Sequence, residues 1–201
     1  MPPSLSTPRS SPPLVLCFAG SDPTGGAGLQ ADILTLASMG CHPLTVVTAI
    51  TVQDTAGVDS VLALDADWVN EQARMLLEDM PVAAFKLGML GGVETIAAIA
   101  EILSDYPDIP VVLDPVLASG RGDELASDEM IAAMRDMLIP QTTVLTPNSH
   151  EARRLAQQDD DEDEPALDVC AKRLVELGAE YVLVTGTHEA TPKVLNSLYD
   201  E

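Results

Sequence analysis

The chain is predicted to fold as an α/β protein, doubly wound, with a mainly parallel sheet flanked by helices. Three observations predict this class. Short apolar runs alternate with amphipathic helical segments along nearly the whole length. Runs such as Val111-Val112-Leu113 and Tyr181-Val182-Leu183-Val184 are apolar at successive positions, so they need cover on both faces, as in a parallel sheet between helices. Gly40 and Gly178 stand just past two of the helical segments, where a left-handed residue closes a helix before the next strand.

The elements follow in order. Leu14 to Phe18 reads as a buried strand, Gly25 through Met39 as a helix closed by Gly40, and a second strand lies within Leu44 to Val52. Asp65 or Asp67 caps a helix whose apolar residues Val69, Ala73, Leu76, Leu77 and Met80 share one face. Further strands are expected near Ala83 to Leu87, Val111 to Leu113, Thr143 to Leu145 and Tyr181 to Thr185. Helices are expected from Val93 to Leu103 and from Ser127 to Leu138, and on the stripe Leu167, Cys170, Ala171, Leu174 and Leu177. Residues 1–13, rich in Pro and Ser, read as a flexible tail ahead of one domain over residues 14–201.

Composition narrows the function classes. Ten Lys and Arg stand against 32 Asp and Glu, a formal charge of −22, which excludes nonspecific nucleic-acid binding through a basic surface. A hydrophobic content of 46% is enough for a sizeable core. No run of eighteen apolar residues occurs, so a soluble protein outside the membrane is expected. The three cysteines, Cys17, Cys41 and Cys170, form no CxxC pair, which suits a reduced cytoplasmic setting. The acidic run Asp159 to Glu164 reads as a solvated loop.

In a doubly wound sheet, ligands bind beyond the carboxyl ends of the strands. The polar residues there are Ser21 and Asp22, Gln53 and Asp54, Asp114, Asn148, and Thr185 with Thr187, besides Gly88 and Met89. Gly20 and Gly25 have the spacing that opens a phosphate-binding P-loop, but the required Lys is absent. Gly26-Ala27-Gly28-Leu29-Gln30-Ala31 fits a dinucleotide fingerprint, without the acidic residue wanted about twenty positions later. Those glycines either let a helix approach the sheet or let backbone reach a small ligand. Gln53 offers an amide acceptor and donor side by side, matching a ring nitrogen next to an exocyclic amine; an exposed strand end is the plainer account. Asn148 and Glu151 form a capping-box pair that could also line nucleotide phosphates and order Mg²⁺, with Asp114 a further carboxylate or simply a loop acid.

The segments AGSDPTGGAGLQAD, TAITVQDT, KLGML, VVLDPVLASG and TPNSHEA, in this order, closely resemble the hydroxymethylpyrimidine/phosphomethylpyrimidine kinases of thiamine biosynthesis, in the ribokinase-like superfamily. The resemblance implies a pyrimidine held by Gly20, Asp32, Gln53, Met89 and Val116. It implies ATP near Asn148, Thr185 and Thr187, and Mg²⁺ near Asp114 and Glu151. It further implies a homodimer and in-line transfer of the ATP γ-phosphoryl group to a hydroxymethyl oxygen, then to the monophosphate so formed. Many relatives carry Lys-Gly-Gly where this sequence has Thr185-Gly186-Thr187, so one phosphate-contacting charge is replaced. The family's Gly-rich anion-hole loop and proposed base fall past Glu201, so these residues are expected to form an incomplete domain that binds pyrimidine better than it transfers phosphate. Marginal stability or association goes with that expectation. The competing readings are a non-catalytic pyrimidine-binding module, a sister kinase for pyridoxal-type rings and, on Gly26 to Ala31 alone, a dinucleotide-dependent oxidoreductase.

Overall fold

A computed structural model describes residues 11–158, 164–186, 188–189 and 192–200. Eight strands form one sheet in the order β3-β2-β1-β4-β5-β6-β7-β8. The parallel centre consists of β1 (Leu14–Gly20), β2 (His42–Gln53), β4 (Val82–Leu87), β5 (Val111–Leu113), β6 (Val144–Leu145) and β7 (Tyr181–Thr185). Two antiparallel strands form the edges, β3 (Val58–Ala63) on β2 and β8 (Asn196–Tyr199) on β7. Neither edge strand was expected from the sequence. β3 is exposed along nearly its whole length and β8 along half of it, so neither segment carries the apolar signal of a buried strand.

One row of the sheet shows why the centre is stable. Phe18, Leu87, Leu113, Leu145 and Val182 are successive register partners across five strands, and each has 0% of its surface exposed. Fully burying side chains of this size contributes about 1.5–3 kcal/mol apiece before entropy is counted. The Phe18 and Phe85 rings meet in the same core, with centroids 6.2 Å apart at a tilt of 51°. On this face pack α2 (Ala66–Asp79), α3 (Val93–Asp105), α4 (Asp128–Ala133), α5 (Ser149–Ala156) and α6 (Leu167–Glu176). Asp65 caps α2 by accepting from the Asp67 N–H, as one of the two expected caps. The expected helix from Ser127 to Leu138 has two parts, since its last turn, Met134–Leu138, widens into a π-helix.

The opposite face is different. The next register row runs Cys17, Lys86, Val112, Val144 and Tyr181, and only its β1 end is sealed, by α1 (Gly28–Ser38) packing Leu29 on Cys17 and Ala19. Val112, Val144 and Leu183 are half-buried. The expectation that both faces are covered therefore holds among the described residues for one face and for one end of the other. Residues 1–10 of the expected tail and 159–163 of the acidic run lie outside the described residues.

α1 starts later than expected because residues 23–27 form a turn before it. Gly28 at its start has a φ of +59°, and a Cβ there would collide with the Gly20 carbonyl oxygen. Of the two readings of the glycine run, this geometry supports close approach of helix to sheet. The chain proceeds from β1 to β2 on one side of β1 and returns to β4 on the other, so the strand order reverses at β1 and β4. A crevice at the carboxyl ends of these strands is where such sheets place ligands.

Candidate functional site

That crevice opens into a cavity of about 430 Å³. All five residues expected to hold a pyrimidine line it: Gly20, Asp32, Gln53, Met89 and Val116. Asp114, Lys86, Asp22 and Arg121 line it too. Gly20 cannot be replaced without moving a wall, since a Cβ there would strike the Met89 methyl group. The Met89 main chain is held from behind, because its carbonyl accepts a 2.5 Å hydrogen bond from the buried Thr48 hydroxyl.

Asp22 organises the first loop. It is 3% exposed and accepts from the Thr24 N–H at 2.8 Å, the Thr24 hydroxyl at 3.0 Å and the Ala27 N–H at 2.8 Å. Its own N–H donates to Gln30 Oε1 at 2.8 Å. Burial alone would push its carboxyl up, but the donors from Thr24, the Gln53 amide and Ala27 outweigh burial and hold it below the usual carboxylate range. The Gln53 amide carries both an acceptor and donors for a ligand. In the sequence, Asp22 was only one polar residue at a strand end, because a hydrogen-bonding hub is made by a loop conformation.

Lys86 was also missed. It lies in the KLGML segment on the half-covered face, beside Cys17, and its ammonium pairs with Asp32 at 3.0 Å to Oδ1 and 3.1 Å to Oδ2. The expected substrate residue Asp32 is therefore an ion-paired acceptor. Burial, reinforced by the Asp32 charge and only partly relieved by Lys86, raises the Cys17 thiol to about 12, so it is a neutral packing residue. Burial also raises the Asp114 carboxyl, with Lys86 opposing and Asp32 adding to the effect. Among the described residues the Asp114 side chain has no hydrogen-bond partner.

A second cavity of about 350 Å³ adjoins the first and is lined by Asn148, His150, Glu151, Arg154 and His188, with residues 117–122 on its near side. Asn148 and Glu151 make a complete capping box on α5: the Glu151 N–H donates to Asn148 Oδ1 at 3.0 Å, and the Asn148 N–H to Glu151 Oε2 at 2.8 Å. The Leu117 N–H reaches Glu151 Oε1 at 3.4 Å. Burial, eased by the Asn148 N–H and reinforced by the charge of Asp114, raises the Glu151 carboxyl to about 7. The two carboxylates expected near a metal thus sense each other, while one of them already caps a helix. No group of three or more His, Cys, Asp or Glu placed to hold a metal occurs among the described residues. Two carboxylates suit Mg²⁺, which keeps several waters and takes most other oxygens from phosphates.

Thr185 bridges to Asn148 and donates its N–H to the Pro147 carbonyl at 2.9 Å, but it lines neither cavity. Thr187 lies outside the described residues. The His150 and His188 rings are 5.1 Å apart, and both line the second cavity; scattered in sequence, they gave no signal. Residues 118–121 line both cavities, so the loop after β5 stands where the two spaces meet.

Residues 22–201 match the phosphomethylpyrimidine kinase family. The chain belongs to that family. It is 40% identical over 184 residues to the hydroxymethylpyrimidine/phosphomethylpyrimidine kinase of Streptomyces coelicolor, covering 92% of this chain and 68% of that one. Its fold matches the crystal structure of phosphomethylpyrimidine kinase from Clostridium difficile with a TM-score of 0.83 and 33% identity, over 94% of this chain and 81% of that one. An ADP complex of pyridoxal kinase from Bacillus subtilis matches with a TM-score of 0.81 and 32% identity, over 94% of this chain and 71% of that one. The fold is that of the ribokinase-like kinases, as the motif order implied.

Proposed function

We propose that the larger cavity binds 4-amino-5-hydroxymethyl-2-methylpyrimidine and that the chain serves its ATP-dependent phosphorylation, first at the hydroxymethyl oxygen and then on the resulting monophosphate. The reading is carried by one observation: Asp32, paired with Lys86, and Gln53 put a carboxylate acceptor and an amide that both accepts and donates on the walls of a single cavity. An aminopyrimidine edge has the complementary pattern, an amine donor beside a ring nitrogen. Met89 and Val116 supply apolar contact to the ring.

ATP is placed in the second cavity, with its terminal phosphate toward the loop that both cavities share. The ADP named for the similar Bacillus subtilis pyridoxal kinase supports a nucleotide as the second ligand. Asn148 lines the nucleotide space, Thr185 supports it through the Pro147 carbonyl, and Asp114 with Glu151 would hold Mg²⁺. Mg²⁺ bound with the nucleotide supplies neutralisation of charge on the phosphoryl oxygens. The protein's contribution is positioning: the ring is fixed by Gln53 and Asp32 so that its hydroxymethyl group points to the shared loop.

Isothermal titration with the aminopyrimidine alcohol tests the reading. Replacing the 4-amino group by a 4-oxo group should lower affinity at least about 100-fold, since acceptors would then face an acceptor. Equal affinity for the two rings, or none for either, would overturn it. Coupled ADP release under the same conditions measures phosphoryl transfer. The similar pyridoxal kinase keeps a second ring in view, and pyridoxal is the competitor to titrate alongside.

A further inference from the structure

Most Lys and Arg side chains among the described residues of this acidic chain are committed. Lys86 is held by Asp32, Arg74 by Asp105 at 2.9 Å, Arg153 by Glu189 at 2.9 Å and Arg154 by Glu124 at 2.7 Å. Arg135 and Arg173 donate to the carbonyls of Gln157 and Ala156. Among the described residues, Arg121 has neither an acid within 4.0 Å nor a hydrogen bond from its guanidinium. The neighbouring acid on its loop, Asp123, is already occupied by the Ser119 hydroxyl at 2.7 Å and approached by the Val58 N–H at 3.4 Å. This cation, whose charge reaches the Asp123 carboxylate only from beyond ion-pair distance, belongs to the short stretch that lines both cavities.

Its surroundings are otherwise hostile to anions. Asp22, Asp54 and Asp114 line the larger cavity and Glu151 the smaller without a basic ion-pair partner, while Asp32 and Lys86 neutralise each other and Arg154 is held by Glu124 and Asp128. Among the described residues, the cationic side chain at the junction that is free of an ion pair and could meet an entering phosphate monoester is that of Arg121, beside any Mg²⁺ held by Asp114 and Glu151. If the proposed reading of the cavities is right, the phosphate made in the first transfer must lie at this junction to accept the second.

We infer that Arg121 contacts the phosphate of the monophosphorylated pyrimidine and selects that compound, the substrate of the second transfer, over the unphosphorylated alcohol. The loop suits this role because its shape does not depend on the Arg121 side chain. The Ser119 hydroxyl and backbone close it onto Asp123, and Gly122 turns it with a φ of +94°.

The test compares binding of the alcohol and of its monophosphate by titration calorimetry, with AMP-PCP titrated in parallel. Arg121→Gln should lower affinity for the monophosphate relative to the alcohol by about tenfold, the scale of one charge-assisted hydrogen bond at an exposed site. Arg121→Lys should restore part of that preference, because the charge returns without the planar fork. The preference should weaken as salt rises. Lys172→Gln, which removes one surface charge far in sequence from either cavity, controls for net charge and should leave the ratio as it is. An equal loss for both pyrimidines, an unchanged ratio, or a loss confined to AMP-PCP would overturn the inference. If the unaltered protein binds neither pyrimidine, the reading of the cavity falls as well; if it binds both and Arg121→Gln does not shift the ratio, only the role of Arg121 falls.

Discussion

Lys86 and Asp32 form the ion pair on which the ligand-binding wall depends, with side-chain exposures of 22% and 15%. Removing one partner leaves the other charge poorly solvated. Lys86→Met should destabilise the fold by about 1–3 kcal/mol, less than for a fully buried pair because water still reaches both groups. Lys86→Met combined with Asp32→Asn should recover part of that loss in denaturant melts, and a purely additive double variant would show that the pair is not coupled. Glu151 sets a second prediction at this scale. Its carboxyl is raised to about 7 by burial, so between about 4.5 and 7 the folded chain binds a proton that the unfolded chain releases. Its contribution to stability is therefore present at acid pH and lost as pH rises through that window. Glu151→Gln should flatten this part of the stability profile; an unchanged slope would contradict the assignment. Asp22, held below the usual range, works in the opposite sense, stabilising until the pH falls through its own lowered range.

At the scale of elements, the start of α1 and the start of α5 shape the two cavities. Gly28→Ala combines a left-handed backbone with a Cβ driven into the Gly20 carbonyl, so a loss of about 2 kcal/mol or more is expected. Weaker pyrimidine binding should accompany it, since Gly20 and Gly28 both line the cavity. Asn148→Ala removes the Oδ1 acceptor that caps the Glu151 N–H of α5, a cost of about 1 kcal/mol, while the backbone N–H that holds the Glu151 carboxylate remains. A thermal melt of Asn148→Ala identical to that of the parent protein would show that the capping box adds nothing.

For the whole molecule, a formal charge of −22 means that repulsion opposes compaction. Raising salt from about 0.05 to about 1 M should screen that repulsion and raise the melting temperature by roughly 3–6 °C. A melting temperature that ignores salt would show the charges to be too dispersed to matter. The dimer implied by family resemblance is measured by sedimentation, where twice the 21.2 kDa chain mass is expected. No helix among the described residues is long and apolar enough to cross a membrane.

The alternation of strand and helix was legible because buried strands and amphipathic helices carry their period in the chain itself. The parallel centre, the helix caps at Asp65 and Asn148, and the family could be read from short stretches. Resemblance also named Gly20, Asp32, Gln53, Met89 and Val116, which the fold gathers into one cavity. The antiparallel edges were invisible, since an exposed strand makes few apolar demands on its residues. Asp22 and Lys86 emerged only in three dimensions, where a tight turn brings backbone donors onto one carboxylate and sheet register sets an ammonium facing α1. Periodicity is local and survives in one dimension. Which charge meets which, and that Arg121 has no ion pair among the described residues at the meeting of two cavities, depends on distances that only the folded chain creates.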